Sequence, residues 1–148
     1  MTTAETSISN RRDDLARVTR IVDELAASHH LTAGVVADVN VALDEVLTNI
    51  ITYGYDDDRV HEIRIRLTVD DDAIEAEVLD DGRPFDPTAI SGPDRSTSLR
   101  ERRVGGLGMH LVKNLMSEVV YSRSGDRNRL VLKRRLTDRS EEDQRGFA

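Results

Sequence analysis

A change of hydrophobic period near residue 60 constrains the fold of this chain more than any other feature. Before it, apolar residues recur at steps of three and four; after it, they recur at steps of two. Leu15, Val18, Val22 and Leu25 form one stripe, which predicts a helix over Asn10 to Ala27. Val36, Val39, Leu43, Val46, Leu47 and Ile50 form a second, which predicts a helix from Thr32, a suitable N-cap, to Tyr53. Gly54 is placed to end that helix in the left-handed conformation. Then Ile63, Ile65, Leu67 and Val69 alternate with Arg64, Arg66 and Thr68, the pattern of a strand with one buried face. Ile74, Ala76 and Val78 alternate with Glu75 and Glu77. The acidic turn Asp70 to Asp72 joins the two strands as an antiparallel hairpin.

Periodicity vanishes from Asp80 to Gly105, a stretch that holds all three prolines, Pro84, Pro87 and Pro93. A loop this long in a compact domain is functional or disordered. A short helix is expected over Leu107 to Met116. Strands are expected near Glu118 to Ser124 and Arg129 to Leu136, around a turn at Gly125 to Asn128. The charged tail 137–148 should be frayed. The order of elements predicts an α+β two-layer sandwich, with helices on one face of a mixed, mainly antiparallel sheet. A chain of 148 residues suits one such domain, here 1–136.

Composition removes several function classes. A formal net charge of -7 argues against a general nucleic-acid binder, which needs a basic surface, and against docking on an anionic membrane. There are no cysteines, so disulfides and thiolate metal sites are excluded. The first ten residues are polar, without a signal-type apolar run, and no stretch approaches the roughly 20 apolar residues of a membrane span. A soluble, cytoplasmic chain is expected. With no Trp and 3% aromatic residues, its core must be aliphatic. His29, His30, His61 and His110 lack the spacing of a metal cluster.

Three constellations carry chemistry. Glu45 and Asn49 stand one helical turn apart, roughly opposite the centre of the aliphatic stripe. They fit a solvated face, or a carboxylate base beside an amide oxygen able to hold Mg²⁺. Asp80-Asp81-Gly82-Arg83-Pro84-Phe85-Asp86 directly follows a strand. It fits an acidic turn, or a strand-end carboxylate that accepts a hydrogen bond from the exocyclic amine of adenine, with Gly82 allowing close approach. Val104-Gly105-Gly106-Leu107-Gly108-Met109 opens a helix, where backbone N–H groups and the helix dipole favour a phosphate. It is neither a Walker A motif nor a Rossmann fingerprint. Arg100, Arg102 and Arg103 precede it and could pair with phosphate oxygens or belong to a solvated loop.

In this order and spacing the three constellations resemble the GHKL ATPase family, and more closely its anti-sigma-factor serine kinases. The phrases that carry the resemblance are Ala42-Leu43-Asp44-Glu45-Val46-Leu47-Thr48-Asn49, Asp80 to Pro87, and Gly105-Gly106-Leu107-Gly108-Met109-His110-Leu111-Val112. The likeness covers roughly Ser9 to Leu136, with no dimerisation or chaperone domain attached, as in a stand-alone histidine-kinase-like ATPase domain. It implies the Bergerat fold, ATP or ADP with Mg²⁺ as cofactors, and an ATP lid over about 86–104. Glu45 would be the general base, and Asn49 would coordinate Mg²⁺. Asp80 and Gly82 would recognise adenine. Gly105, Gly106 and Gly108 would cradle phosphates, with Arg102 or Arg103 near the γ-phosphate. It further implies a homodimer that phosphorylates a STAS-type anti-sigma-factor antagonist and sequesters a sigma factor, without touching nucleic acid or membrane. Two departures are Tyr53, where a basic residue or histidine often stands, and Gly125-Asp126-Arg127-Asn128, which lacks a threonine often found after that glycine. They keep a second reading open: a non-catalytic module of the same fold that only sequesters a partner.

Overall fold

The computed structural model describes residues 1–86 and 107–137. Its elements are β1 (Thr2–Ser9), a 3₁₀ turn (Arg12–Asp14), α1 (Leu15–Ser28), α2 (Ala33–Tyr53), β2 (Glu62–Val69), β3 (Ala73–Asp80), α3 (Leu107–Leu115), β4 (Glu118–Ser124) and β5 (Arg127–Arg135). The strands form one sheet in the order β1-β2-β3-β5-β4. Every ladder in it is antiparallel, so the parallel component that a mixed sheet would contain is absent among the described residues.

The alternation of β2 decides where the core lies. Ile63, Ile65, Leu67 and Val69 are all buried, as are Ile74, Ala76 and Val78 of β3. Val18, Val22 and Leu25 of α1 join the same cluster, with Val35, Val39, Leu43, Val46 and Leu47 of α2. The core is aliphatic throughout, with Met109 and Met116 as the sulfur-bearing members. Truncating a side chain such as Leu47 to Ala would cost about 2–5 kcal/mol. Arg134 is buried on the helix side of β5, where its Nε donates to Asp38 of α2 at 3.1 Å. No helix among the described residues is long and apolar enough to cross a membrane.

The N-terminus differs from expectation. Residues 1–10 read as a polar lead-in to a helix starting at Asn10, but Thr2–Ser9 is a strand paired along the whole of β2. Only Ile8 of this strand is fully buried; its register against Ile63 is fixed by pairing rather than by a strong apolar pattern of its own. The chain then turns: Asp14 Oδ2 accepts from Ser9 N at 2.9 Å and Ser9 Oγ at 2.8 Å, and α1 begins only at Leu15. Those two bonds hold the Asp14 carboxyl below its ordinary range.

Thr32 caps α2 as expected, its side-chain oxygen accepting from Val35 N at 3.3 Å. Gly54 ends the helix but remains right-handed, with φ -76°. Its carbonyl accepts from Arg83 N at 2.9 Å, so a tertiary contact sets the end of this helix instead of a left-handed cap. A left-handed residue lies instead after α1, at His30 with φ 54°.

Candidate functional site

A cavity of about 300 Å³ opens between the C-terminal half of α2 and the ends of β3, β4 and β5. Val46, Ile50, Met109 and Leu130 give it an apolar lining, while Asn49, Asp80, Tyr121 and Asn128 supply polar atoms. The volume sits at the small end of ligand sites, and the apolar wall with few convergent polar groups is their usual composition.

Asp80 closes β3 inside this cavity and is 5% exposed. Its Oδ1 accepts from Gly82 N at 2.8 Å and from Asn128 Nδ2 at 3.0 Å. No donor among the described residues reaches Oδ2, which leaves that atom for a ligand. Burial pushes the carboxyl above its ordinary range, opposed by the hydrogen bonds from Asn128 and Gly82. Gly82 is required by the protein itself. A Cβ there would lie 2.7 Å from Gly54 O and 2.9 Å from Asp80 Oδ1. The expected close approach of this glycine is thus to the end of α2.

Asn128 was missed as a site residue; its turn stood out only for lacking a threonine. Asn128 pairs opposite Asp80 in the β3–β5 ladder and is 6% exposed. Its Nδ2 also donates to Arg83 O at 2.9 Å, while its Oδ1 accepts from Tyr121 OH at 2.5 Å and Arg123 Nη1 at 3.0 Å. A donor-only guanidinium on one side and a carbonyl oxygen on the other fix the amide in a single orientation. The missed signal was parity. Leu130 and Leu132 face the helices, so Asn128 and Arg134, two residues to either side, face inward as well.

Glu45 and Asn49 were placed roughly opposite the aliphatic stripe of α2. Instead both are half-buried on its flank, beneath α3. The reason is Gly108: a Cβ at that position would stand 2.7 Å from Glu45 Oε2 and 3.8 Å from Asn49 Nδ2. The first turn of α3 therefore lies directly on the carboxylate. Asn49 Nδ2 is buried without a hydrogen-bond partner among the described residues, an unmet donor at the cavity wall.

Beside Asp80, the ring of His61 stacks on Tyr55 with centroids 4.0 Å apart. Its Nε2 lies 2.7 Å from Asp57 Oδ1 and its Nδ1 3.3 Å from Asp81 Oδ1. The hydrogen bond with Asp57 raises the His61 pKa, and Asp81 adds to the effect. Arg83 lines the cavity and is ion-paired with Asp56. Tyr53, the departure noted where a basic residue or histidine often stands in the family, also lines the cavity. Arg102, Arg103, Gly105 and Gly106, with residues 87–104 of the expected lid and 138–148 of the tail, lie outside the described residues.

Comparison with known proteins fits this architecture. Residues 8–134 match the model of the histidine kinase-like ATPase domain. Over 95 residues the chain is 35% identical to the serine-protein kinase RsbW of Bacillus velezensis, an alignment covering 61% of this chain and 59% of that protein. The RsbW of Staphylococcus aureus is 32% identical over 96 residues, covering 61% and 60%. The chain thus spans about three fifths of the length of these curated relatives. The crystal structure of the RsbU and RsbW domains of a Mycobacterium tuberculosis protein superposes with a TM-score of 0.66 at 18% identity, over 91% of this chain and 32% of that one. That is a likeness of fold. With a family match running from the end of β1 almost to the end of β5, the chain belongs to the histidine kinase-like ATPase domain family.

Proposed function

We propose that the chain is an ATP-dependent protein serine kinase acting as an anti-sigma regulatory factor. It phosphorylates an anti-sigma-factor antagonist of STAS type and sequesters a sigma factor, as a cytoplasmic homodimer. The observation that carries the reading is the division of the cavity. Asp80, buried with Oδ2 unclaimed, stands on its sheet side and Asn49 on its α2 side, with Glu45 one turn before Asn49 under the glycine-opened helix. A nucleotide laid between them would put its base at the carboxylate and its phosphates at the helix start.

Each residue then has a task. Asp80 Oδ2 accepts from the exocyclic amine of adenine, while Gly82 N and Asn128 hold Oδ1 in place. Asn49 offers a hard side-chain oxygen, and its buried, unpartnered Nδ2 marks a side chain whose contacts a ligand would complete. That suits Mg²⁺, which takes few protein oxygens together with substrate phosphates. When bound, the ion offsets charge on the phosphates. Gly105, Gly106 and Gly108 admit the phosphates to backbone N–H groups, and Arg103 approaches the γ-phosphate. Glu45 orients the substrate serine and accepts its proton as Oγ bonds to the γ-phosphorus and the bond from that phosphorus to the bridging oxygen breaks, releasing ADP.

The decisive experiment pairs nucleotide binding with transfer. Mg·ADP at about 100 times its dissociation constant should stabilise the fold by about 2.7 kcal/mol, and Asn49→Ala should abolish the shift. With Mg·ATP the cognate antagonist should become labelled, and Glu45→Ala should stop labelling while leaving partner capture intact. No shift and no label with the correct partner would refute the kinase and favour the sequestering module.

A further inference from the structure

The α2 wall beyond Asn49 offers no cation to a polyphosphate: it presents Ile50, Thr52 and Tyr53. Arg83 is engaged by Asp56. Another element reaches the gap. Arg12, in the 3₁₀ turn between β1 and α1, extends its guanidinium to α2, where Nη2 donates to Thr52 Oγ1 at 3.1 Å. No carboxylate of the described residues forms an ion pair with it, and the hydrogen bond to Thr52 uses one of its five N–H donors.

Its backbone is anchored. Asn10 N donates to His61 O at 3.0 Å, His61 N donates to Asn10 Oδ1 at 2.9 Å, and Ser9 and Asp14 close the turn from both ends. Thr52 stands three residues after Asn49, which makes them neighbours on one helix face, about 5–6 Å apart at Cβ. The guanidinium is thus bonded to Thr52, a residue that lines the cavity three positions after Asn49, in a protein whose net charge of -7 would otherwise repel a polyanion.

We propose that Arg12 is a phosphate-binding residue, seated by Thr52, that takes the place of the missing cation at Tyr53 and contacts the diphosphate or triphosphate of the nucleotide. The planar fork suits phosphate oxygens and leaves the base untouched. The assignment rests on the nucleotide reading above, and its test separates the two.

Calorimetric titrations of wild type, Arg12→Ala and Arg12→Lys with Mg·ADP, adenosine and inorganic pyrophosphate read the charge directly. Arg12→Ala should weaken ADP by about tenfold to a hundredfold, the range of a hydrogen bond to a charged group, and leave adenosine unchanged. Arg12→Lys should recover part of the loss, and added salt should weaken wild-type ADP binding more than that of Arg12→Ala. Arg12 is exposed, so these variants should unfold at the wild-type temperature. Equal ADP affinity in wild type and Arg12→Ala, or an equal loss for adenosine, overturns the assignment. Pyrophosphate bound by wild type and lost in Arg12→Ala, with no adenosine binding, upholds the phosphate site while the base pocket fails. Wild-type protein that binds none of the three overturns both.

Discussion

Replacing Asn128 by Ala removes the hub of the cavity floor, and its effect can be worked from the contacts. The amide gives one bond to a buried carboxylate at 3.0 Å and one to Arg83 O at 2.9 Å, and receives one from Tyr121 and one from Arg123. Not all are lost outright. Asp80 Oδ1 keeps Gly82 N, Gly82 O keeps Arg123 Nη1 at 3.0 Å, and Arg83 O and Tyr121 OH can turn to water in the cavity. The bond to the buried carboxyl dominates, at about 2 kcal/mol, and the remainder adds about 1 kcal/mol. A loss of about 3 kcal/mol should lower the melting temperature by roughly 6–12 °C in a domain this size. Circular dichroism melts and urea titrations measure it. The Asp80 carboxyl, already raised by burial, should titrate higher still once a donor is gone, as ¹³C NMR of that carboxyl can follow. Asn128→Asp should be worse than Asn128→Ala at pH 8, where two buried carboxylates oppose each other across the ladder. It should recover on acidification, when one of them holds a proton and donates it. A melting temperature within 2 °C of wild type for Asn128→Ala would show that water replaces the amide and would refute the reasoning.

Two further outcomes follow from the geometry. Gly108→Ala should fold with unchanged or slightly higher stability, since Ala favours a helix by up to about 1 kcal/mol over Gly. Its methyl must nonetheless displace Glu45 Oε2 and narrow the proposed phosphate cradle, so ADP affinity should fall and transfer to the antagonist should fall further; transfer at saturating nucleotide that stays at the wild-type rate would place Glu45 outside the transfer step. Pairing with Asp57 raises the folded-state pKa of His61 above its ordinary 6.5, so its stabilisation is complete below that pH and fades as pH rises through the folded value. Asp57 is lowered from 3.8, so its share is complete above that value and fades as pH falls through the folded one. Comparing unfolding of wild type and His61→Gln from pH 5 to 9 should show the gap between them narrowing above pH 6.5; a constant gap would contradict the pairing.

Much of the fold was legible because its elements declare their period. The stripes of α1 and α2 and the alternation of β2 and β3 each bury the face they predict, and Thr32 caps where its chemistry says it should. β1 was not legible: among its inward residues Ala4, Thr6 and Ile8 only the last is strongly apolar, and the strand exists because β2 offers an edge. At the candidate site, Glu45, Asn49, Asp80 and Gly108 could be found as chemical types at a spacing. Asn128 and the proposed Arg12 could not. The first acts through its parity on β5 and its partner on β3, and the second through a contact between residues 40 positions apart. Such partnerships are tertiary, and no local pattern encodes them.

The hairpin between β4 and β5 turns in two residues, Gly125 and Asp126, with Gly125 at φ 61°, the positive value that a short hairpin loop requires. This tip is exposed and touches nothing in the cavity, yet its length sets the reading frame of everything after it. Asn128, Leu130, Leu132 and Arg134 point inward only because Ser124 meets Arg127. One inserted residue that shifted β5 by a single step would present Arg129, Val131 and Lys133 to the helices instead. That would empty the floor beneath Asp80, break the bridge to Asp38, and press two charged side chains into an aliphatic layer. The loop a surface argument would call freely variable should therefore tolerate substitution in sequence but resist change in length.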